Sequence, residues 1–284
     1  MARVLIAGCG YVGSALAGML ADDGHEVWGM RRSPAALPPG VHPFPADLRD
    51  PATLADLPPA LDFVAYAATA DASTDEAYRA AYVDGPRHLL AALAAQGQRP
   101  RRVLFTSSTG VYGQEDGERV DEDSPTEPAG FSGTRMLEGE RVFLSGPFPA
   151  TVLRLGGIYG PGRASLVEKV REGKAGCSPE PSWTNRIHRD DAAGALRHLM
   201  AIDAPESVYL GVDREPAALC DVYRWIADRL GLPDPPIHPD AADTRRRSRS
   251  NKRCASDRLV STGYAHRYPT FREGFAALID GERG

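Results

Sequence analysis

Lysine is nearly absent: it occurs only at Lys169, Lys174 and Lys252, so thirty of the 33 basic side chains are arginine. Such a bias reflects coding composition and weakens any argument from a single arginine standing in place of a lysine. Cysteine is also scarce, with Cys9, Cys177, Cys220 and Cys254 far apart in sequence and in no Cys-x-x-Cys pair, which argues against a zinc site or a disulfide framework. No run approaches the roughly 18 apolar residues that a membrane-spanning helix needs. The opening run Val4–Ala7 breaks at Gly8, too short for the apolar core of a signal peptide, so cytoplasmic residence is the expectation. A net charge of −5 over 284 residues argues against a dedicated nucleic-acid binder, and with no apolar run of spanning length no membrane partner is expected. What is present is ordinary for a soluble globular chain: 42% hydrophobic and 25% charged residues, with no low-complexity period. The expected partner is a small-molecule substrate, and the expected assembly a monomer or homodimer.

Residues 3–7 form an apolar run ending in glycine and predict a buried strand. Helical spacing over 12–22 follows, then strands at 26–30 and 62–68, a long helical pattern over 74–95, and a strand at 102–106. A helix at 133–145 and a strand at 150–155 complete the series. Alternating strands and helices predict an α/β, doubly wound parallel sheet of Rossmann type. After about residue 158 the rhythm changes to short Gly-, Pro- and Trp-bearing pieces, with helices expected from Asp190, over 216–230 and over 270–281. These patterns divide the chain into a dinucleotide-binding domain over 1–158, to which 186–212 return, and a small substrate lobe over 159–185 and 213–284.

Gly8-Cys9-Gly10-Tyr11-Val12-Gly13 directly follows the first strand and opens the first helix. That context gives the GxGxxG spacing its meaning: Gly8 for the tight turn, Gly10 for backbone approach to a pyrophosphate, Gly13 for helix–strand packing. At the end of the second strand, where NAD sites carry a carboxylate, stand Arg31 and Arg32. Two guanidinium groups suit a 2′-phosphate, so NADP is expected over NAD. Asp47 and Leu48 follow the third strand, where Asp47 either reaches the adenine or caps a turn.

The segments GCGYVG (8–13), AYAAT (65–69), TSSTGVYG (106–113), RLGGIYGPGR (154–163) and NRIHRDD (185–191) together resemble the extended short-chain dehydrogenase/reductase superfamily, the NAD(P)-dependent epimerase/dehydratase group. The tail, NKRCASDRLVSTGY (251–264) with YPTFREGF (268–275), resembles its atypical, sugar-nucleotide epimerase-like branch. The resemblance implies cofactor contacts from Ala67, Ala68, Ser107, Gly157 and Ile158 in addition to the glycine turn. It also implies a serine that polarises a substrate oxygen, here Ser108, and a Tyr-x-x-x-Lys pair that exchanges the proton and holds the ribose.

At that pair the chain departs from the pattern. It reads Phe131-Ser132-Gly133-Thr134-Arg135, and no tyrosine elsewhere has a lysine four residues later. Phe131 cannot exchange a proton, whereas Arg135 keeps a positive charge for the ribose. Three alternatives follow: another group such as Tyr112, Tyr159 or His188 replaces the tyrosine; the chain binds NADP without turnover; or Ser132 takes the hydroxyl role. For the substrate side the resemblance points to Tyr159, Arg163, Trp183, Asn185 and His188, with Arg154 and Arg189 as further anion-binding candidates. The basic run 245–253 is expected to flank the substrate mouth, with Asn251 or Lys252 meeting an anionic group.

Overall fold

The computed structural model describes residues 1–33, 37–238 and 251–281; Arg245–Ser250 of the basic run lie outside them. The opening apolar run forms β1 (Arg3–Ala7), buried at four of five positions, and passes through the glycine turn into α1 (Tyr11–Asp22). The chain continues through β2 (Glu26–Arg31), β3 (Val41–Pro45) and β4 (Phe63–Tyr66).

The helical pattern over 74–95 is not one helix. α2 (Asp75–Arg79) runs through a wider turn at 80–84 into α3 (Gly85–Ala95). Pro86 is the reason: in a regular helix its ring meets the carbonyl four residues back, and it has no N–H to donate. Widening the turn relieves the clash without ending the helix.

Then come β5 (Arg102–Ser108), β6 (Glu118–Val120), α4 (Phe131–Leu144), β7 (Ala150–Leu155) and β8 (Gly157–Tyr159). They are followed by α5 (Ser165–Arg171), β9 (Trp183–Thr184), β10 (Arg186–His188) and α6 (Arg189–Ala201). The remainder is β11 (Val208–Gly211), β12 (Ala217–Ala218), α7 (Leu219–Leu230), β13 (Lys252–Cys254) and two closing helices, Asp257–Ser261 and Phe271–Gly281.

Seven strands make one sheet in the order β11-β7-β5-β4-β1-β2-β3. β1 pairs in parallel with β2 on one side and β4 on the other, the register placing Val4 opposite both Val27 and Phe63. The winding therefore reverses between β1 and β4, and in such sheets ligands lie beyond the strand carboxyl ends at that crevice.

The chain divides into two compact units. The first holds 1–111, 128–154 and 193–209, and the second 112–127, 155–192 and 210–284. The first is built around Leu5, Ile6, Leu16, Val64, Phe105 and Phe143. The second has its own core of Tyr159, Val222, Ile226, Phe271, Phe275 and Ile279.

One sequence expectation is corrected here. Cys177 and Cys220, 43 residues apart, are joined as a disulfide, whereas Cys9 and Cys254 are free and buried. Their spacing carries no pairing signal; the bond exists because the fold brings their Cα atoms to 5.0 Å. Among the described residues no helix is long and apolar enough to cross a membrane, and no group of His, Cys, Asp or Glu is placed to hold a metal ion.

Candidate functional site

The first unit builds the cofactor corner from the glycine turn outward. Gly8 has φ +91°, and a Cβ there would sit 2.3 Å from the Ala68 nitrogen, so only glycine fits between β1 and the end of β4. A Cβ on Gly13 would meet the Gly8 carbonyl oxygen at 2.5 Å, which is the close helix–strand packing expected of it. Gly10 differs: a Cβ would meet nothing nearer than 4.0 Å, so the space above it is open. Gly10 is also the N-cap of α1, and no side chain caps that end. A helix N-terminus with open backbone approach fits a pyrophosphate, because its N–H groups and dipole favour negative charge. The structure thus brings Gly8, Gly10 and Gly13 together with Ala67 and Ala68; Tyr11 and Val12 begin the helix, half-buried and buried.

Arg32 lies at the mouth of this corner with a partner that sequence reasoning missed. Its guanidinium donates twice to Asp71, at 2.7 and 2.6 Å. Arg49 donates to the same Asp71 at 3.1 Å and grips Asp47, whose carboxylate also accepts the Arg49 backbone N–H at 2.9 Å. These hydrogen bonds hold the Asp47 carboxyl down at about 2. Asp47 thus anchors Arg49, and the neighbouring turn at Pro51–Leu54 is capped by Asp50 instead. Arg32, Arg49, Asp47 and Asp71 form one exposed, charge-balanced network. An acidic residue soon after the fourth strand was the available signal. Arg31 ends β2, and Leu48 offers its carbonyl to His88.

At the end of β5, Ser108 is half-buried and its Oγ accepts the Gly110 N–H at 3.0 Å, leaving the hydroxyl proton free to be donated. Ser107 points the other way. Its hydroxyl donates to Glu140 at 2.5 Å, and Glu140 receives Arg154 at 3.0 and 2.8 Å. Both charged side chains are almost wholly buried, so Arg154 serves a buried ion pair and not an anionic substrate. Phe131 is exposed and meets the Tyr78 ring edge-on at 5.4 Å. Arg135 donates to both oxygens of Asp75 (2.7 and 2.8 Å) and both of Glu138 (2.9 and 2.8 Å). These carboxylates raise its pKa further, and the expected ribose ligand is bracketed between α2 and α4.

In the second unit several expected substrate residues are structural. Tyr159 is buried and stacked on Phe275 at 4.4 Å, its hydroxyl facing Gly274, where a Cβ would lie 1.8 Å away. His188 lies between the rings of Tyr159 and Tyr268 and accepts the Asp190 N–H at 3.2 Å, and burial lowers its pKa. Tyr112 is buried, and its carbonyl accepts a hydrogen bond from the Lys252 amine at 3.0 Å. All three side chains named as replacements for the missing tyrosine are therefore buried. Lys252, expected to meet an anionic group, is buried as well.

Asn185 holds β13 by donating to the Lys252 carbonyl at 3.0 Å and accepting the Cys254 N–H at 2.7 Å, and Asn251 accepts the Trp183 backbone N–H at 2.7 Å. These are strand clamps. Gly157 and Ile158 lie on β8, paired with β10. Arg163 sits exposed in a tight turn closed with Gly160, Arg189 pairs with Asp190, and Trp183 is half-buried. Asp191 stands in the first turn of α6. It is buried and accepts the backbone N–H groups of Arg267 and Tyr268 at 2.6 and 2.9 Å and the Tyr264 hydroxyl at 3.0 Å.

The model of the family described as "NAD dependent epimerase/dehydratase family" matches residues 4–205. Protein YeeZ of Escherichia coli (strain K12) is 30% identical over 282 residues, covering 95% of this chain and 97% of that protein. The 3-diazoavenalumate denitrifying reductase of a Streptomyces species is 29% identical over 306 residues, covering 96% and 98%. A solved structure from Methylobacillus flagellatus, described as an NAD-dependent epimerase/dehydratase, is 37% identical with a TM-score of 0.82, covering 100% of this chain and 99% of that one. With the glycine turn, the winding of the sheet and the match over most of its length, the chain belongs to the NAD-dependent epimerase/dehydratase family.

Proposed function

We propose that the protein binds NADP(H) at the glycine turn and acts as an oxidoreductase or epimerase on a carbonyl or hydroxyl of a small, nucleotide-sugar-like substrate. The observation that carries this reading is Gly10, an uncapped helix N-terminus with open space where a side chain would stand. The backbone at Gly10, Tyr11 and Val12 would hold the pyrophosphate. Arg32 and Arg49 would turn from Asp71 to the 2′-phosphate; exposed ion pairs of this kind exchange partners at little cost. When bound, the dinucleotide supplies reversible hydride transfer. Ser108 donates its hydroxyl proton as a hydrogen bond to the substrate oxygen, held in place by the Gly110 N–H. A reductase among the relatives supports turnover. A small-molecule partner, no nucleic acid or membrane partner, a monomer or homodimer, and a cytoplasmic setting complete the proposal, on the charge balance of the chain.

A second reading, a catalytically silent NADP(H) sensor or regulatory protein, is favoured by one observation. Phe131 has no hydroxyl, Arg135 is held by two carboxylates, and Tyr112, Tyr159 and His188 are buried. Titration with NADPH and NADH tests the binding they share, and no saturable binding of either overturns both. Consumption of NADPH absorbance over a panel of carbonyl compounds and nucleotide sugars then selects the enzyme; binding without consumption selects the sensor.

A further inference from the structure

The disulfide of the second unit joins two residues in unlike positions. Cys177 is 1% exposed in the loop after α5, whereas Cys220 is half-buried and is the second residue of α7. The loop runs over 173–181 and is held at both ends. At its start the Lys174 and Ala175 N–H groups donate to the Lys169 carbonyl of α5, at 2.8 and 3.1 Å. Beyond its end the Ser182 carbonyl accepts the Leu219 N–H at 2.9 Å, and β9 pairs with β12. Between those ends Cys177 ties the loop sideways. Its sulfur is bonded to α7, its N–H donates to the Pro236 carbonyl at 2.9 Å, and its carbonyl accepts the His238 N–H at 2.9 Å. Gly176 lies so near the His238 ring that a Cβ there would stand 2.5 Å from it. One covalent bond therefore fixes two peripheral segments, 173–181 and 236–238, against α7.

Two features favour a bond that opens over a permanent staple. The core of the second unit, with Tyr159, Val222, Ile226, Phe271, Phe275 and Ile279, packs without either cysteine, so it offers the fold a support that reduction leaves in place. The reduced state is also stabilised. Cys220 stands in the first turn of a helix of 12 residues whose N-cap, Ala218, supplies no side-chain acceptor. The N–H groups and dipole of that turn favour a thiolate, while the carboxylate of the adjacent Asp221 is drawn to Arg224 at 3.7 Å. A disulfide whose reduced form is stabilised is the more readily opened. Cys9 and Cys254 are free and buried and take no part.

We propose that Cys177–Cys220 is a reversible thiol–disulfide site: oxidation pins 173–181 and 236–238 to α7, and a thiol reductant releases them. A first reductant thiolate attacks the Cys220 sulfur, and the S–S bond breaks with its electron pair going to the Cys177 sulfur, which takes up a proton. A second reductant thiolate attacks the reductant sulfur of the mixed disulfide, and Cys220 leaves as a thiolate facing the N–H groups of α7. Two electrons pass to the chain, the two reductant protons go to Cys177 and to water or Cys220, and the reductant departs as its own disulfide. The site does not depend on the cofactor reading.

The test is a titration of the full chain in glutathione buffers running from fully oxidised to fully reduced. Samples are quenched in acid, freed of glutathione, unfolded and labelled with a maleimide, and mass spectrometry counts the thiols. The count should pass from two to four within that range and return on reoxidation, with circular dichroism unchanged. A count fixed at two makes the bond a permanent staple, a count fixed at four means that it does not form, and lost circular dichroism on reduction means that the fold needs it; each overturns the proposal. Hydrogen exchange maps the release. On reduction, amides within 173–181 and 236–238 should exchange at least about tenfold faster, while those of β1 and α1 keep their rates. Cys220→Ser should show the fast pattern in both buffers. Equal exchange in the oxidised and reduced wild-type chain overturns the clamp, whatever the variant does.

Discussion

Replacing Glu140 with alanine should be among the most damaging single changes in the first unit. Glu140 and Arg154 have side chains 3% and 7% exposed, and two guanidinium hydrogen bonds plus one from Ser107 converge on this carboxylate. Removing the acid leaves a cation in a site that water does not reach, a loss of about 3–5 kcal/mol for buried pairs broken on one side. For a chain of this size about 1 kcal/mol shifts the melting temperature by roughly 2–4 °C, so a fall of roughly 6–20 °C is expected. Urea unfolding followed by circular dichroism measures the free energy directly. Glu140→Gln should fall between alanine and wild type, since it keeps an acceptor for Ser107 but not the charge. The double variant Glu140→Leu with Arg154→Met should recover most of the loss, because the apolar pair has no desolvation penalty to offset. If Glu140→Ala lies within about 1 kcal/mol of wild type, the charge is not buried as described and the reasoning fails.

The two neighbouring glycines should separate folding from binding. Gly10→Ala should keep the wild-type melting temperature yet lose at least tenfold in NADPH affinity, whereas Gly8→Ala, with its positive φ and backbone clash, should melt well below wild type. Arg32→Ala should weaken NADPH at least tenfold and leave NADH nearly unchanged by isothermal titration; equal losses for both would detach it from the 2′-phosphate. Asp191→Ala should destabilise the chain by about 3 kcal/mol in urea unfolding, since charged hydrogen bonds to Arg267, Tyr268 and Tyr264 are lost together. The pH dependence of stability should carry the mark of Asp213. Its folded carboxyl is raised to about 8, so the folded chain keeps a proton that the unfolded chain releases, and stability falls as pH rises from about 4 to 8. The slope from this one group is at most about 1.4 kcal/mol per pH unit; Asp213→Asn should remove it.

The glycine turn, the alternation of strand and helix and the loss of the tyrosine hydroxyl at Phe131 could all be read from the sequence. Each rests on residues within a few positions of one another: an apolar strand ending at Gly8, a helix opening at Tyr11, a ring with or without an oxygen. Backbone conformation and side-chain chemistry are local properties, and local spacing reports them. Even there one nearby effect was missed, for Pro86 widens the turn inside the 74–95 helical pattern.

What each polar side chain does was decided elsewhere in the chain. Arg135 reads as a ribose ligand until Asp75, sixty residues away in sequence, takes two of its hydrogen bonds. His188 reads as a proton carrier until Tyr159 and Tyr268 close over it. Cys177 and Cys220 read as unrelated thiols until the second unit sets them side by side. Charge, burial and partner are properties of a site in space, and sequence separations of 29 to 80 residues carry no trace of which groups will meet there. The sequence by itself therefore determined the sheet and the opening turn for a dinucleotide. Only the tertiary structure decided which arginines, acids and rings are spent on holding that frame, because desolvation and ion pairing act between neighbours that folding alone brings together.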